Sequence, residues 1–262
     1  MTATLENPPA VSRSDAAVTL SGVRKVFGHG ANGVVALDGV DLSVAPGEFV
    51  CLLGASGCGK STLLNLVAGL DEPTSGHIEL TTSRPAVMFQ EAALMPWLTA
   101  ARNVELPLRL AGVKRGARRA KAGELLSLVR LVGAGHKRPH ELSGGMRQRV
   151  ALARALASTL GSAGDGTPGL LLMDEPFAAL DAITRDVLQA ELVRVWRETS
   201  TAIVFVTHDV REAVRLGQRV VLLSSRPGRV VREWSTADHD EPALIDDITT
   251  HLREMISGHA AA

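Results

Sequence analysis

Three scarcities in this chain of 262 residues exclude whole classes of protein. Lysine plus arginine and aspartate plus glutamate each number 28, so there is no charge excess and no broad basic field for nucleic acid. No window approaches the roughly 18 uninterrupted apolar residues of a membrane-spanning helix. The only two cysteines, Cys51 and Cys58, lie in a stretch that a disulfide would distort, which favours reduced thiols and a cytoplasmic setting.

The N-terminal residues 1–17 also lack features of a targeting segment. They have neither a basic start nor an apolar run, so we do not interpret them as a secretory signal. Pro8, Pro9 and scattered polar residues predict a disordered tail instead. Residues 18–262 remain, and they are enough for one large domain or two small ones.

What the chain does contain is a glycine-rich loop between a predicted strand and a predicted helix. Residues 54–61 follow the pattern G-x-x-x-x-G-K-S, an apolar run at 49–53 precedes them, and a helical pattern follows at 61–68. The N–H groups of such a loop and the helix N-terminus surround phosphates, while Lys60 would bridge the terminal phosphates and Ser61 would bind Mg²⁺. A chance glycine-rich turn is the alternative. The flanking strand and helix favour a loop that binds a nucleoside triphosphate.

Polar residues follow three more apolar runs, where buried strands are predicted to end. Gln90 follows 86–89, Asp174 and Glu175 follow 170–173, and His208 follows shortly after 202–206. The acidic pair beside a phosphate loop predicts one carboxylate on Mg²⁺ and one that orients water, although Pro176 also fits a helix start. A histidine at a strand exit favours a site over a core. Gln90 could contact a ligand or lie in a solvated loop.

Two other stretches carry chemistry of their own. Ser143 is a good N-cap for a helix that starts with Gly144 and Gly145, which leave the first N–H groups uncovered. That predicts a second anion-binding helix terminus, which cannot obviously share a phosphate with the first. Phe27, near a turn, could stack on a purine ring or simply pack in the core.

Taken in order, these residues resemble the ATP-binding cassette (ABC) family over nearly the whole chain. The resemblance rests on Phe27, the phosphate loop, Gln90, the signature sequence 142–145, the acidic strand exit, residues 179–181 and His208. It implies an α/β fold, in which a P-loop NTPase (RecA-like) core carries an antiparallel β subdomain and an inserted α-helical subdomain. Residues 18–262 would form one nucleotide-binding domain, with 18–90 and 165–262 as the ATP-binding core and 91–160 as the helical subdomain.

The family also implies cofactors and residue roles, with ATP and Mg²⁺ bound between two chains in a head-to-tail dimer. Glu175 would be the general base, with Gln90 and His208 as the other catalytic residues, and Asp181 would communicate across the dimer. The implied metal ligands are Ser61, Gln90 and Asp174. The implied ATP-binding residues are Phe27, Gly54, Ser56, Gly57, Cys58, Gly59, Lys60, Ser61, Thr62, Ser143, Gly144, Gly145 and Asp181.

Segments 87–97, 177–185 and 225–229 are similar to ATPase subunits of nitrate, sulfonate and taurine importers. The resemblance implies an ATPase at the inner face of the membrane, paired with itself or another ABC subunit. It would energise separate permease subunits, with a solute-binding protein as an indirect partner and no nucleic acid. An exporter ATPase, or a non-transport ABC protein of DNA repair or translation, is the alternative, although the chain lacks the long coiled coil or second cassette usual in the latter.

Several local predictions accompany these interpretations. In the segment 91–98, Leu94, Met95 and Trp97 would line a groove for a permease helix or only pack the helical subdomain. The basic cluster at 114–121 fits a solvated helix face, or a contact with lipid or an acidic partner. The glycine-rich stretch 161–169 is longer than usual and is expected to be a flexible loop. A long helix after Asp181 is expected to bury one stripe of residues, namely Ile183, Val187, Leu188, Leu192, Val195 and Trp196.

Overall fold

The computed structural model of the chain describes residues 16–28, 33–81, 85–161, 169–237 and 239–260. Most of the predicted disordered tail, together with most of the stretch 161–169, lies outside these residues. Ala16 and Ala17 are an exception, because both are buried and the Ala17 N–H donates to the Val44 carbonyl at 2.7 Å. The packed part of the described chain therefore includes two residues on the tail side of the predicted boundary at 18.

A six-stranded sheet forms the centre of the molecule, with strand order β5-β6-β7-β3-β8-β9. Neighbouring strands are parallel except for the antiparallel pair β8 and β9. Their bounds are Phe49–Leu53 (β3), Ala86–Met88 (β5), Leu170–Asp174 (β6), Ala202–Thr207 (β7), Arg219–Leu223 (β8) and Val230–Ser235 (β9). Strands β3 and β7 are buried along their whole length, as their unbroken apolar sequences require. The parallel strands end at one edge, so the polar residues after them converge there.

A second, antiparallel sheet confirms the predicted β subdomain. It has the order β2-β1-β4, formed by Val18–Phe27 (β1), Val34–Val44 (β2) and Ser75–Leu80 (β4). Its buried residues join β3 and the first helix in one apolar cluster, which includes Val40, Leu52 and Leu63. This packing fixes the end of the β1–β2 pair beside the phosphate loop.

The helices occupy the remaining layers, and three of them are inserted between β5 and β6 as the family resemblance implies. The helices are Lys60–Val67 (α1), Ala100–Leu110 (α2), Arg115–Leu128 (α3), Gly144–Gly161 (α4), Ala182–Thr199 (α5), Val210–Leu216 (α6) and Glu241–Ala260 (α7). Apolar residues of α2, α3 and α4 share one core cluster with β5, β6 and β7. Among the described residues, every helix is too short or too polar to cross a bilayer.

The predicted buried stripe of α5 is wrong at its first two positions. Leu188, Leu192 and Val195 are buried, but Ile183 is 79% exposed and Val187 is 46% exposed. Val187 precedes Leu188 by one residue, or about 100° around the helix, so the apolar stripe is wider than the face that packs.

Candidate functional site

A cleft of about 330 Å³ opens at the edge where the parallel strands end. It brings together the predicted aromatic residue, much of the phosphate loop and the predicted general base. The lining residues are Phe27, Val34, Ala36, Ser56, Gly57, Gly59, Lys60, Ser61, Thr62, Glu175 and Arg226. The ring of Phe27 is 46% exposed at the end of the β1–β2 pair and lies 5.1 Å from the Lys25 ammonium. A ring held in this way can stack on a planar base.

The phosphate loop holds its lysine by backbone groups. The Lys60 Nζ donates to the carbonyl oxygens of Gly54 at 2.8 Å and Ala55 at 3.0 Å, and the residue is only 6% exposed. Gly59 precedes α1 with a φ of +107°, which turns the chain from the loop into the helix. The cationic side chain and the N-terminus of α1 therefore meet at one end of the cleft.

Cys58 lies in the phosphate loop but does not line the cleft. Its side chain is 1% exposed, and burial raises the pKa of the thiol despite the opposing charge of Lys60. Its backbone N–H donates to the Ala55 carbonyl at 3.3 Å, within the loop itself. The thiol therefore packs beneath the loop as part of the apolar cluster under β2 and α1.

The two acidic residues at the end of β6, Asp174 and Glu175, lie in different surroundings. Asp174 accepts a hydrogen bond from the Ser61 hydroxyl. Burial raises the pKa of the Asp174 carboxyl, and the negative charge of Glu175 raises it further. The Ser61 hydrogen bond and the positive charge of Lys60 partly offset this rise. The Ser61 hydroxyl and the Asp174 carboxylate are in contact, and such a pair of oxygen ligands suits Mg²⁺. This ion prefers oxygen ligands, and beside substrate phosphates it binds to only one or two protein groups. In the described ranges, no group of three or more His, Cys, Asp or Glu residues that could hold a metal occurs.

Glu175 and His208 are joined directly. The Glu175 Oε2 lies 2.9 Å from the His208 Nδ1, with Glu175 27% and His208 64% exposed. Glu175 has a φ of +42°, which is uncommon for a residue with a side chain, and its N–H donates to the Val206 carbonyl at 3.1 Å. The carboxylate is thus fixed between the ends of β6 and β7, where it can accept a proton from water in the cleft.

Behind this pair, a small cavity of about 50 Å³ contains another carboxylate. Glu212 accepts hydrogen bonds from the Thr207 hydroxyl and from the Gln189 Nε2, the latter at 2.8 Å, and burial raises its pKa. Asp209 N–H donates to the Thr207 oxygen at 3.0 Å. Residues on both sides of His208 are therefore fixed by hydrogen bonds.

Gln90 lies outside the cleft in this structure. Register pairs Met88 of β5 with Met173 of β6, so Gln90 follows the strand next to the acidic pair. Its side chain is exposed, and its carbonyl accepts from the Gln148 Nε2 at 2.7 Å. The backbone of Gln90 is thus tied to α4, and its predicted metal contact stays a prediction.

The signature residues form a separate cluster with Asp181. The Ser143 hydroxyl accepts from the Met146 N–H at 3.2 Å, which confirms it as the N-cap of α4. Asp181 caps α5 by accepting from the Thr184 N–H at 3.0 Å. A Cβ on Gly145 would lie 2.8 Å from the Thr184 Cγ2, so the starts of α4 and α5 touch. None of these residues lines the cleft, so the second anion-binding terminus is separate from the first.

Comparison with known proteins identifies the family. A family model described as ABC transporter matches residues 37–178. The taurine import ATP-binding protein TauB of Burkholderia pseudomallei is 48% identical over 220 residues, which cover 81% of this chain and 82% of the relative. The chain belongs to the ABC transporter family. Within it, the nitrate import ATP-binding protein NrtD of Synechocystis is 44% identical over 221 residues, or 82% of this chain and 80% of the relative.

Solved structures confirm the fold and the ATPase activity of this ABC protein. A dimeric ATP-binding cassette in a post-hydrolysis state, bound to ADP and Pi, superposes with a TM-score of 0.69 and 34% identity. The match covers 85% of this chain and all of the solved chain. The P-loop NTPase prediction and the prediction of an ATP-hydrolysing enzyme are both confirmed.

Sequence reasoning missed three residues of this ABC ATPase that line the cleft. Val34 and Ala36 belong to the strand that pairs with β1, and no local signal marks them. Arg226 follows β8, which ends at the same edge as β3 and β7. An apolar run at 220–223 precedes Arg226, so the rule that strand exits carry ligand contacts would have found this residue.

Proposed function

We propose that this chain is the ATP-hydrolysing subunit of an ABC importer that takes up a small solute through separate permease subunits. The observation that carries the proposal is the single cleft that contains Phe27, the phosphate loop and Glu175, with Glu175 bonded to His208 at 2.9 Å. The relatives named for taurine and nitrate import support the importer class. By analogy with those names, the solute would be small and similar to nitrate, a sulfonate or taurine.

In this proposal each side chain has a separate task. Phe27 stacks on the base, while the loop N–H groups and Lys60 bind the phosphates. Ser61 and Asp174 would hold Mg²⁺, with Gln90 as a further ligand, and the bound ion would offset the negative charge of the phosphates. Glu175 accepts the proton of the attacking water at its carboxylate, and His208 fixes that carboxylate.

Glu175→Gln tests the base assignment. The amide keeps the volume but cannot accept the proton, so ATP binding should persist while turnover falls by about 10²–10⁴-fold. Single-turnover hydrolysis and nucleotide binding would be measured on the same preparation, with Glu198→Gln, an exposed glutamate on α5, as control. A Glu175→Gln enzyme that turns over at the wild-type rate would remove Glu175 from this role.

We further propose that the cleft is completed by Ser143, Gly144 and Gly145 of a second copy. These residues lie outside the cleft of their own chain, and Gly144 and Gly145 begin α4, where helix N–H groups can bind a phosphate. Dimeric solved relatives support this arrangement. Asp181, beside the signature residues through Thr184, would then lie close to the dimer axis.

Mixing two inactive variants tests this completion in trans. Glu175→Gln disables one half of a site and Ser143→Arg the other, so a mixed dimer contains one doubly altered site and one intact site. We expect ATPase activity to return on mixing, up to about half of the wild-type rate per dimer. The control mixes wild type with the double variant, which leaves one defect in each site and should not add activity beyond that of wild-type dimers.

The permease would dock on the segment 91–98, which the protein holds in a fixed shape. Asn103 is fully buried and bonds the Met95 N–H at 2.8 Å through its Oδ1. From α4, the Arg154 guanidinium donates to the carbonyls of Ala92 and Ala93 at 2.9 Å and 2.7 Å. Trp97 is left 69% exposed. A rigid segment with an exposed indole is suited to receive a short apolar helix.

The individual contacts predicted for this segment differ in outcome. Leu94 is half-buried and packs against the main core, which favours the packing alternative for that residue. Met95 is half-buried, and Phe89, just before the segment, is 44% exposed. The exposed pair Phe89 and Trp97 therefore replaces Leu94 as the expected docking surface.

Co-purification with the permease tests this surface. Phe89→Ala and Trp97→Ala together should leave soluble ATPase activity and lose the permease in detergent. Leu110→Ala is the matched control, because Leu110 is 74% exposed but lies at the far end of α2, about 10 Å by helix rise from Asn103, where the segment contacts the helix. Retained assembly of the double variant would contradict the proposed docking surface.

The cellular setting follows from this assignment. A subunit that binds a permease on its cytoplasmic side lies at the inner face of the cell membrane, and the solute-binding protein acts on it only indirectly. Identifying the ligand of the partner solute-binding protein would name the transported molecule. Recovery of the chain with an exporter, or with a DNA-repair or translation complex, would favour the alternative functions.

A further inference from the structure

Arg226 points a cationic side chain into the nucleotide cleft. It lines the cleft together with Phe27 and Lys60, and its Nη2 lies 3.8 Å from the place where a Cβ on Gly57 would stand. The neighbouring Arg229 pairs with the Asp38 carboxylate. For Arg226, by contrast, no hydrogen bond or ion pair occurs with any described residue. Its charge is therefore available to a ligand.

The turn that carries Arg226 is tightly hydrogen-bonded. The Ser224 hydroxyl donates to the Pro227 carbonyl at 2.7 Å and accepts from the Arg229 N–H at 2.8 Å. The Ser224 N–H donates to the Arg229 carbonyl at 2.8 Å, which closes the turn. A side chain on such a turn starts from a fixed backbone, so it loses less conformational freedom on binding.

The same turn packs directly against the phosphate loop. A Cβ on Gly228 would lie 2.3 Å from the Cys58 carbonyl oxygen, so only glycine permits this approach. The Gly228 N–H donates to the Ala36 carbonyl at 2.9 Å, and the Asp38 N–H donates to the Gly228 carbonyl at 3.0 Å. The position of Arg226 relative to the loop is thus set by backbone contacts on two sides.

We propose that Arg226 binds the phosphate oxygens of the nucleotide as a second cation beside Lys60. A guanidinium is always ionised and presents a planar fork of donors that fits phosphate oxygens. Lys60 and a bound Mg²⁺ would balance only part of the charge of a triphosphate, and Glu175, the other charged group among the described lining residues, is acidic. The assignment rests on the proposal above that the cleft holds ATP.

Fluorescent ATP and ADP analogues test the assignment by direct titration of the wild type and three variants. Arg226→Gln should weaken binding of both nucleotides about tenfold, the low end for a charge-assisted contact in an open cleft. Arg226→Lys keeps the charge without the fork and should lie between. Arg229→Gln, on the same turn but paired with Asp38, should stay within about twofold of wild type.

Two further measurements separate binding from structure. The Tm of nucleotide-free Arg226→Gln should equal that of wild type within about 1 °C, because the side chain loses no hydrogen bond or ion pair to any residue that the structure describes. The salt dependence of ATP binding should also become shallower in this variant, since one ion pair is removed.

Each other outcome overturns the assignment in a recognisable way. If wild type binds ATP and Arg226→Gln binds it with equal affinity, Arg226 does not bind the phosphates, and the proposed function is unaffected. A wild-type protein that binds neither nucleotide removes the proposed function itself. A weakened Arg226→Gln that also melts lower, or a matching loss in Arg229→Gln, assigns the effect to the turn. Unchanged nucleotide affinity with a weaker ATP-dependent dimer in the Glu175→Gln background assigns Arg226 to the second copy.

Discussion

The contact between Gly145 and Thr184 allows the packing of the signature helix to be tested by a rescue. A Cβ on Gly145 would lie 2.8 Å from the Thr184 Cγ2, closer than two carbon atoms approach. Thr184 cannot simply rotate away, because its hydroxyl and its N–H both bond the Asp181 carboxylate. Thr184→Ser removes only the obstructing methyl group and keeps the hydroxyl.

The expected magnitudes follow from two opposing terms. The clash of Gly145→Ala should cost about 1–3 kcal/mol of unfolding free energy, the usual cost of overpacking. Replacing glycine by alanine inside a helix stabilises the protein by up to about 1 kcal/mol, and by less in the first turn. Gly145→Ala alone should therefore destabilise by about 0–3 kcal/mol. In the Thr184→Ser background the same change should be neutral or stabilising.

Urea unfolding of the four proteins measures this cycle. The coupling energy between the two sites should be about 1–3 kcal/mol, well above the error of such measurements. Gly144→Ala is a control, because its Cβ would lie 3.9 Å from the nearest atom, Leu180 Cδ2, in ordinary contact. If Gly145→Ala and Thr184→Ser are additive within about 0.5 kcal/mol, the starts of α4 and α5 do not meet as described.

Three shorter predictions concern buried groups. Because folding raises the pKa of Asp174, the folded protein loses stability as pH rises through that raised pKa and the carboxyl ionises. Asp174→Asn should therefore raise the Tm of the Mg²⁺-free protein at pH 7.5 by about 1–3 °C and should abolish Mg²⁺-dependent hydrolysis, whereas a lower Tm would contradict this prediction. Because the Cys58 thiol is buried and its pKa is raised, N-ethylmaleimide should modify it at least about 100-fold more slowly in the folded protein than in urea. Mass spectrometry would measure both rates, and equal rates would disprove the burial of the thiol. Glu191→Ala should lower the free energy of unfolding in urea by about 3 kcal/mol, because this 3% exposed carboxylate pairs with Arg130 at 3.0 Å. Glu198→Ala, at an exposed carboxylate, should lower it by less than about 1 kcal/mol, and equal losses in the two variants would refute the distinction between buried and exposed pairs.

Residues whose role depends on nearby sequence could be predicted. The phosphate loop was recognisable because strand, glycines, lysine and helix are consecutive, and the acidic pair because it directly follows an apolar run. Ser143 was recognisable as a cap from its position before the helix alone. These signals are local, and the structure preserves them in β3, β6 and α4.

Features that depend on tertiary packing could not be predicted from the sequence. Helix α6 has only seven residues, too few for a periodic pattern, although Asp209 accepts from the Arg211 N–H as its N-cap. The exposure of Ile183 depends on which face of α5 meets its neighbours. The contact between Gly145 and Thr184 joins two helices that are distant in sequence, so no spacing rule indicates it.

Helix α4 connects two surfaces that the sequence presents as unrelated. It begins at the Ser143 cap, and farther along it Gln148 bonds the Gln90 carbonyl and Arg154 bonds the carbonyls of Ala92 and Ala93. Gln148 and Arg154 follow the cap by five and eleven residues on one continuous helix. Any displacement of the Ser143 end of this helix would therefore also shift the backbone of residues 90–93, which leads directly into the segment that exposes Trp97.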